Sequence, residues 1–214
     1  EFLKKHNYAD LLVIDGGEEP LSGIISWLRD TRDTSQLPNN IVWREEERLF
    51  STDLNPVKKQ IENIPSPYLS GYLDEFLIAG FVPLLETNRG CPFRCTFCGW
   101  GAAAKNKISR FSIDNVLKEI SYVGKIAKGA RNWIICDANF GMLPRDYDIV
   151  QYAAKLKKET GYPHILSVQS TKNARERAYK VQKALYDNGL SKSINIAMQA
   201  TDSHTLKQIK RDNI

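Results

Sequence analysis

Cys91, Cys95 and Cys98 stand in the run Glu86-Thr-Asn-Arg-Gly-Cys-Pro-Phe-Arg-Cys-Thr-Phe-Cys-Gly-Trp-Gly101, and their number decides what they can do. A cubane iron–sulfur cluster presents four irons, each taking one external ligand, usually a thiolate. Three thiolates from one loop leave one iron open to a ligand that is not protein. Structural zinc closes all four of its positions with Cys or His, and the remaining candidates, His6, His164, His204 and Cys136, lie far from the run. Four cysteines in 214 residues are too sparse for a disulfide scaffold. Gly90, Gly99 and Gly101 flank the cysteines and let backbone approach a bulky inorganic group.

The elements that must hold this loop follow a regular rhythm. Phe81–Thr87 reads as a strand leading straight into it. Ser112 suits the cap of a helix whose apolar residues, Ile113, Val116, Leu117, Ile120 and Val123, share one face, with Gly129 at its end. Trp133–Cys136 reads as a second buried strand closed by Asp137-Ala-Asn139, with Cys136 taken as a small buried hydrophobe. Pro144 opens a second helix whose face is Ile149, Val150, Ala153, Ala154 and Leu156, ending at Gly161. His164–Gln169 is a third strand, residues 173–188 a third helix ended by Gly189, and Ile194, Ile196 and Met198 alternate along a fourth strand. Ser203 then opens a last helix.

Four alternations of strand and helix predict an α/β fold with a parallel sheet covered by helices. Ligands of such sheets bind at the carboxyl ends of the strands. The cysteine loop follows the first strand there, Asp137 and Asn139 the second, Gln169 and Ser170 the third, and Gln199, Thr201 and Asp202 the fourth. Taken singly, each of these polar residues suits a helix cap or a turn. Together, beside a metal loop, they suggest one pocket.

The first part of the chain has another texture. Ala9–Asp15 is a short apolar run ending in Gly16-Gly17 and reads as a buried parallel strand. Pro20–Arg29 carries Leu21, Ile24, Ile25 and Leu28 at helical spacing. Pro38, Pro56, Pro65 and Pro67 then break up the pattern. Ile41–Trp43 and Arg48–Ser51 suggest a small hairpin, and Ile64-Pro-Ser-Pro-Tyr68 an extended connector. The composition, 42% hydrophobic and 26% charged, is that of a globular protein. No apolar stretch approaches bilayer length. The 30 Lys and Arg are interleaved with 25 Asp and Glu, so no basic stripe for nucleic acid forms. The N-terminal run has no signal-peptide layout, and with reduced cysteines this points to the cytoplasm.

Arg89-Gly90-Cys91-x3-Cys95-x-Phe97-Cys98, with an aromatic residue just before the third cysteine, resembles the signature of the radical S-adenosylmethionine (SAM) superfamily. The resemblance implies that Cys91, Cys95 and Cys98 hold a [4Fe–4S] cluster. The amino and carboxylate groups of SAM would chelate its fourth iron, and the reduced cluster would cleave SAM to methionine and a 5′-deoxyadenosyl radical. It further implies that Phe97 packs near the adenine, that Asp137 and Asn139 meet the SAM ammonium, and that Gln199 and Thr201 meet the ribose, with Gln169 in the same pocket. Met198-Gln-Ala-Thr-Asp-x3-Leu-Lys-x-Ile-Lys-Arg-x-Asn-Ile214 is similar to the corresponding family stretch, whereas Ala138 stands where many members have a second acidic residue.

Asp10-Leu-Leu-Val-Ile-Asp-Gly-Gly-Glu-Glu-Pro20, Ile41-Val-Trp-Arg44 and the Ile64-Pro-Ser-Pro connector are similar to the join between a cobalamin-binding domain and a radical SAM barrel. That resemblance implies a C-terminal remnant of a Rossmann-like cobalamin domain over residues 1–36. A linker with a hairpin would span 37–79, and the N-terminal part of a TIM-like radical SAM (β/α) barrel 80–214. It implies a chain incomplete at both ends. The expected activity is cobalamin-dependent methyl transfer to an unactivated carbon, fed by a reductant such as flavodoxin or ferredoxin and acting on a small-molecule or peptide substrate. The alternatives are a cobalamin-associated radical cyclase or rearrangement enzyme, and a non-catalytic iron–sulfur electron-transfer or sensing module.

Overall fold

A computed structural model describes residues 1–54, 61–99, 107–171, 175–196 and 198–211. Pro56, Gly101, the first residues expected of the third helix and the end of the C-terminal motif at 212–214 lie outside the described residues. The chain divides into two compact units, Glu1–Gln60 and Ile61–Ile214.

The first unit begins with a short helix, α1 (Phe2–Lys5), and is built on three strands, β1 (Leu11–Val13), β2 (Ile41–Glu45) and β3 (Arg48–Ser51), in that order. The expected hairpin is β2–β3, turned by Glu46-Glu47 with Glu46 at φ 53°. The expected parallel strand is corrected: β1 is only half-buried and pairs antiparallel with β2, Leu11 opposite Trp43 and Val13 opposite Ile41. The cause is the return loop after α2 (Glu18–Asp30). Asn40 adopts φ 66° and its carbonyl accepts from the Ile14 N–H, which brings β2 back against β1 in the opposite direction. Ile24 of α2 packs with Leu37 and Ile41 in a small core.

The second unit carries the α/β rhythm. Strands β4 (Leu84–Leu85), β7 (Asn132–Phe140) and β8 (Ile165–Ser170) form a parallel sheet in that order. Between β4 and β7 come β5 (Asn88–Arg89), β6 (Ser109–Arg110) and α4 (Ile113–Ile126); α3 (Asp74–Ile78) precedes β4. The helices α5 (Arg145–Thr160) and α6 (Arg175–Asp187) follow β7 and β8. The signals for these helices held. The Ser112 hydroxyl caps α4 by accepting from the Asn115 N–H, and Gly161 ends α5 at φ 83°, a left-handed conformation that glycine adopts freely.

Burial alternates along β7. Trp133, Ile135, Asp137 and Asn139 point into the helix-covered core, with Ile120, Val123, Ile149, Val150, Val181 and Leu185 among their neighbours, whereas Cys136 is exposed on the other face. Cys136 is therefore not the buried hydrophobe expected of it. Its thiol donates to the Leu85 carbonyl at 3.2 Å, and partial burial, with Glu86 and Asp137 nearby, raises its pKa. Ser167 and Gln169 of β8 are exposed as well.

The fourth strand is a second correction. The Leu190 carbonyl accepts from the Leu166 N–H, so the chain does reach the edge of β8. It then leaves the ladder: residues 194–196 and 198 form no strand, and Ile194, Ile196 and Met198 are exposed. Local bonds compete with pairing here, because the Ser191 hydroxyl bonds the Ser193 carbonyl and accepts from its N–H. Among the described residues the parallel sheet thus has three strands and is not closed into a barrel. The last helix, α7 (Ser203–Gln208), opens where expected, with the Asp202 carboxylate accepting from the Thr205 N–H at 2.6 Å.

Tyr68 secures the short β4. Its hydroxyl donates to the Leu84 carbonyl (2.8 Å) and accepts from the Leu84 N–H (2.9 Å), satisfying both backbone groups of one strand residue. Tyr68→Phe leaves both without this partner in a part-buried position. We expect a loss of about 1–3 kcal/mol in urea unfolding, with the far-ultraviolet spectrum unchanged.

Candidate functional site

The site starts where β4 ends. Thr87 and Asn88 carry the chain from the parallel sheet into the two-residue ladder β5–β6, in which Asn88 faces Arg110 and Arg89 faces Ser109. One buried carboxylate fastens this junction. Asp137 Oδ1 accepts from the backbone N–H of Thr87 (2.7 Å) and of Asn88 (3.1 Å), while Oδ2 accepts from the Thr87 hydroxyl (2.5 Å) and the Asn88 side-chain amide (2.7 Å). Burial pushes the Asp137 pKa up to about 6, against the pull of these donors. Arg145, at the start of α5, donates to the carbonyls of Phe111 and Thr87 and holds the outer side of the junction. Asp146 beside it accepts from the N–H groups of Gly141 and Leu143, which fixes the turn after β7.

The cysteine loop hangs from this junction. Gly90 adopts φ 107°, and a Cβ on it would lie 2.0 Å from the Lys107 carbonyl oxygen, so only glycine lets the two ends of the loop close. We expect Gly90→Ala to push them apart, with a stability loss of at least about 2 kcal/mol and weaker iron binding, read from unfolding curves and iron content. Arg89 forms a bidentate pair with Glu86, Nε to Oε1 at 2.9 Å and Nη2 to Oε2 at 2.8 Å. Cys91 and Cys95 are buried, Cys98 is half-buried, and all three are free thiols. The Cys98 N–H donates to the Cys95 carbonyl, and the Thr96 N–H to the Ile209 carbonyl just beyond α7. The guanidinium of Arg211 lies 6.0 Å from the centre of the Phe97 ring, which is itself 54% exposed.

From β7, Asn139 reaches the loop: its Nδ2 donates to Cys91 Sγ at 3.0 Å. Asn139 is buried, and its Oδ1 has no partner among the described residues. Among the described residues no three His, Cys, Asp or Glu side chains converge closely enough to hold a metal ion. The donor set fits an iron–sulfur cluster on three counts. The thiols are free and share one loop, Gly90 permits close backbone approach, and an amide N–H is already aimed at one sulfur.

The residues expected to bind SAM separate into groups. Asn139 is brought against Cys91, and Phe97 is exposed on the loop. Asp137 is buried with both oxygens engaged by Thr87 and Asn88, so it serves the scaffold. Gln169 stands on the exposed face of β8, and Gln199 and Thr201 are exposed in the irregular segment before α7. Sequence reasoning missed Thr87, Asn88, Arg145 and Arg211. Two polar residues between a buried strand and Gly90-Cys91 were the available signal for the first pair.

Residues 85–214 match the family described as the Radical SAM superfamily. Over its whole length the chain is 33% identical to a 2-(S-pantetheinyl)-carbapenam-3-carboxylate methyltransferase of Streptantibioticus cattleyicolor. It is also 33% identical to the cobalamin-dependent radical SAM methyltransferase TokK of Streptomyces tokunonensis. The chain spans about a third (32%) of the length of each of these relatives. Among solved structures it is similar to the radical SAM methyltransferase TsrM of Kitasatospora setae, determined with tryptophan and a SAM analogue, at TM-score 0.58, 16% identity, 87% of this chain and 37% of that one. The cobalamin-dependent SAM radical enzyme OxsB, with aqua-cobalamin and SAM bound, aligns at TM-score 0.57 and 18% identity over 98% of this chain and 30% of that one.

Proposed function

The chain belongs to the radical SAM superfamily, and from that premise we propose that it carries the cluster loop of a cobalamin-dependent methyltransferase acting on an unactivated carbon. The observation that carries this reading is the three-cysteine loop seated at the carboxyl ends of β4 and β7, with Asn139 of β7 bonded to Cys91. Cys91, Cys95 and Cys98 would hold the cluster, which when bound would supply the single electron that splits SAM into methionine and a 5′-deoxyadenosyl radical.

The chain's other residues bind and orient. The unpartnered Oδ1 of Asn139 is a buried acceptor beside the cluster loop and suits the ammonium of SAM. Phe97 offers an exposed ring to the adenine, and Gln169, Gln199 and Thr201 offer hydrogen-bonding groups to the remainder. Asp137 holds no ligand in this reading; it fixes the origin of the loop. The sheet β4–β7–β8 is read as the beginning of a TIM-like barrel, residues 1–36 as part of a Rossmann-like cobalamin-binding domain, and 37–79 as their link. Cobalamin enters by likeness to the relatives, which include a cobalamin-dependent methyltransferase and a structure with aqua-cobalamin bound. Methylation of a carbon radical needs such a second donor, because a radical is no nucleophile for ordinary sulfonium transfer. A one-electron donor of the flavodoxin or ferredoxin type would serve the cluster.

The test supplies anaerobic intact protein with cobalamin, reductant and methyl-labelled SAM, offering first the carbapenam named for the relative. Label in the product together with 5′-deoxyadenosine supports the reading. Formation of 5′-deoxyadenosine without label transfer to any product favours the cyclase or rearrangement alternative. Neither product, from protein with an intact cluster, contradicts both and leaves electron transfer or sensing.

A further inference from the structure

We propose that Asn139 sets the reduction potential of the cluster through Cys91. This inference rests on the cluster being held by Cys91, Cys95 and Cys98, and goes beyond it by giving one neighbouring side chain a measurable effect.

The geometry is specific. Asn139 stands near the end of β7, where that strand outruns its neighbour. Between the pairs Ile135–Val168 and Phe140–Ser170, β7 places four residues, 136–139, against the single residue 169 of β8. The added length carries the inward-facing positions 137 and 139 toward the cysteine loop. Asp137 uses this reach to fasten Thr87 and Asn88, and Asn139 uses it to place Nδ2 3.0 Å from Cys91 Sγ. Both Asn139 and Cys91 are buried, so water cannot easily stand in for the amide.

A thiolate is an acceptor, and an N–H donated to it withdraws electron density from the sulfur. Reduction adds one electron, and hence one negative charge, to the cluster. A hydrogen bond to a ligand sulfur favours the more negative state and raises the potential. The electron comes from a low-potential one-electron donor, dithionite in the test. No bond forms or breaks at Asn139, and no proton leaves it. Asn139 is thus a positioning residue, acting on the cluster through Cys91.

The experiment uses the intact protein reconstituted with iron and sulfide, with the potential of the cluster read by a redox titration followed by electron paramagnetic resonance. Asn139→Leu removes the donor while keeping the same branched skeleton. Asn139→Asp keeps the shape and replaces the donor by an acceptor that carries charge. We expect both variants to retain iron and sulfide, and both potentials to move negative, Asp further than Leu, with Asn139→Gln recovering part of the shift. Potentials equal to that of the unaltered protein in both variants would overturn the proposal. So would loss of the cluster from both, since a tuning bond is not a ligand. Failure of the underlying reading looks different: iron would then survive in Cys91→Ala, and no cubane signal would appear in any protein.

Discussion

Replacing Cys95 by alanine is expected to strip the protein of its iron, from roughly four atoms per chain to nearly none, and to bring SAM cleavage to background. The reason is the count. Three thiolates are the minimum that holds a cubane while leaving one iron for substrate, and two from the same loop do not retain it. Cys95 is buried and unbridged, and its carbonyl receives the Cys98 N–H, so the alanine variant keeps the loop's backbone and loses only the sulfur. Cys136→Ala is the control that separates ligand from bystander. Its sulfur is exposed on the opposite face of β7 and donates to Leu85, so iron content and cleavage stay within about twofold, a shift worth under 1 kcal/mol. Iron and sulfide assays on anaerobically reconstituted proteins check both.

Removing the Asp137 carboxylate is expected to be the most damaging change away from the cysteines. Asp137→Ala removes the acceptor of four hydrogen bonds, two from backbone and two from side chains, at the root of the cluster loop. Uncompensated buried donors cost about 1–3 kcal/mol each. Their partial relaxation, and relief of the charge's own burial, bring the expected loss to about 3–5 kcal/mol. The pH dependence has a definite sign. With its folded pKa raised from 3.8 to about 6, the acid binds its proton more tightly in the native state. Its contribution to stability is therefore greatest below about pH 4 and is lost as pH rises toward and through about 6, a change of about 3 kcal/mol. Asp137→Asn keeps an acceptor for the backbone pair and carries no charge. Its unfolding free energy should lack this component between pH 4 and 7, which urea titrations at several pH values will show.

The helices, and the end of the sheet that matters, were legible because local signals agreed with the tertiary structure. Ser112, Pro144 and Gly161 mark helix ends by backbone chemistry that operates within a few residues, and the apolar faces of α4 and α5 repeat at 3.6. The strand at Ile194–Met198 was not legible, because alternation says which side chains could share a face and not whether a neighbouring edge is available. Here the Ser191 hydroxyl bonds both backbone groups of Ser193 and the ladder ends at Leu190. The direction of β1 failed for a similar reason: a strand–helix–strand order suggests a parallel pair, and the left-handed turn at Asn40 decided otherwise.

At the site, residue type singled out the three cysteines and Asn139 as candidates, whereas the burial of Asp137 was invisible. An acidic residue at a strand end reads equally well as a ligand or as a clamp. Only the placement of Thr87 and Asn88, some fifty residues earlier in the chain, decides for the clamp.

The central claim, an open iron that takes SAM, is tested most directly by the electron paramagnetic resonance spectrum of the dithionite-reduced intact protein before and after SAM is added. SAM should shift the g values of a [4Fe–4S]⁺ signal, and the signal should decay as 5′-deoxyadenosine accumulates. A cubane signal that is indifferent to saturating SAM, with no 5′-deoxyadenosine formed, would contradict the account.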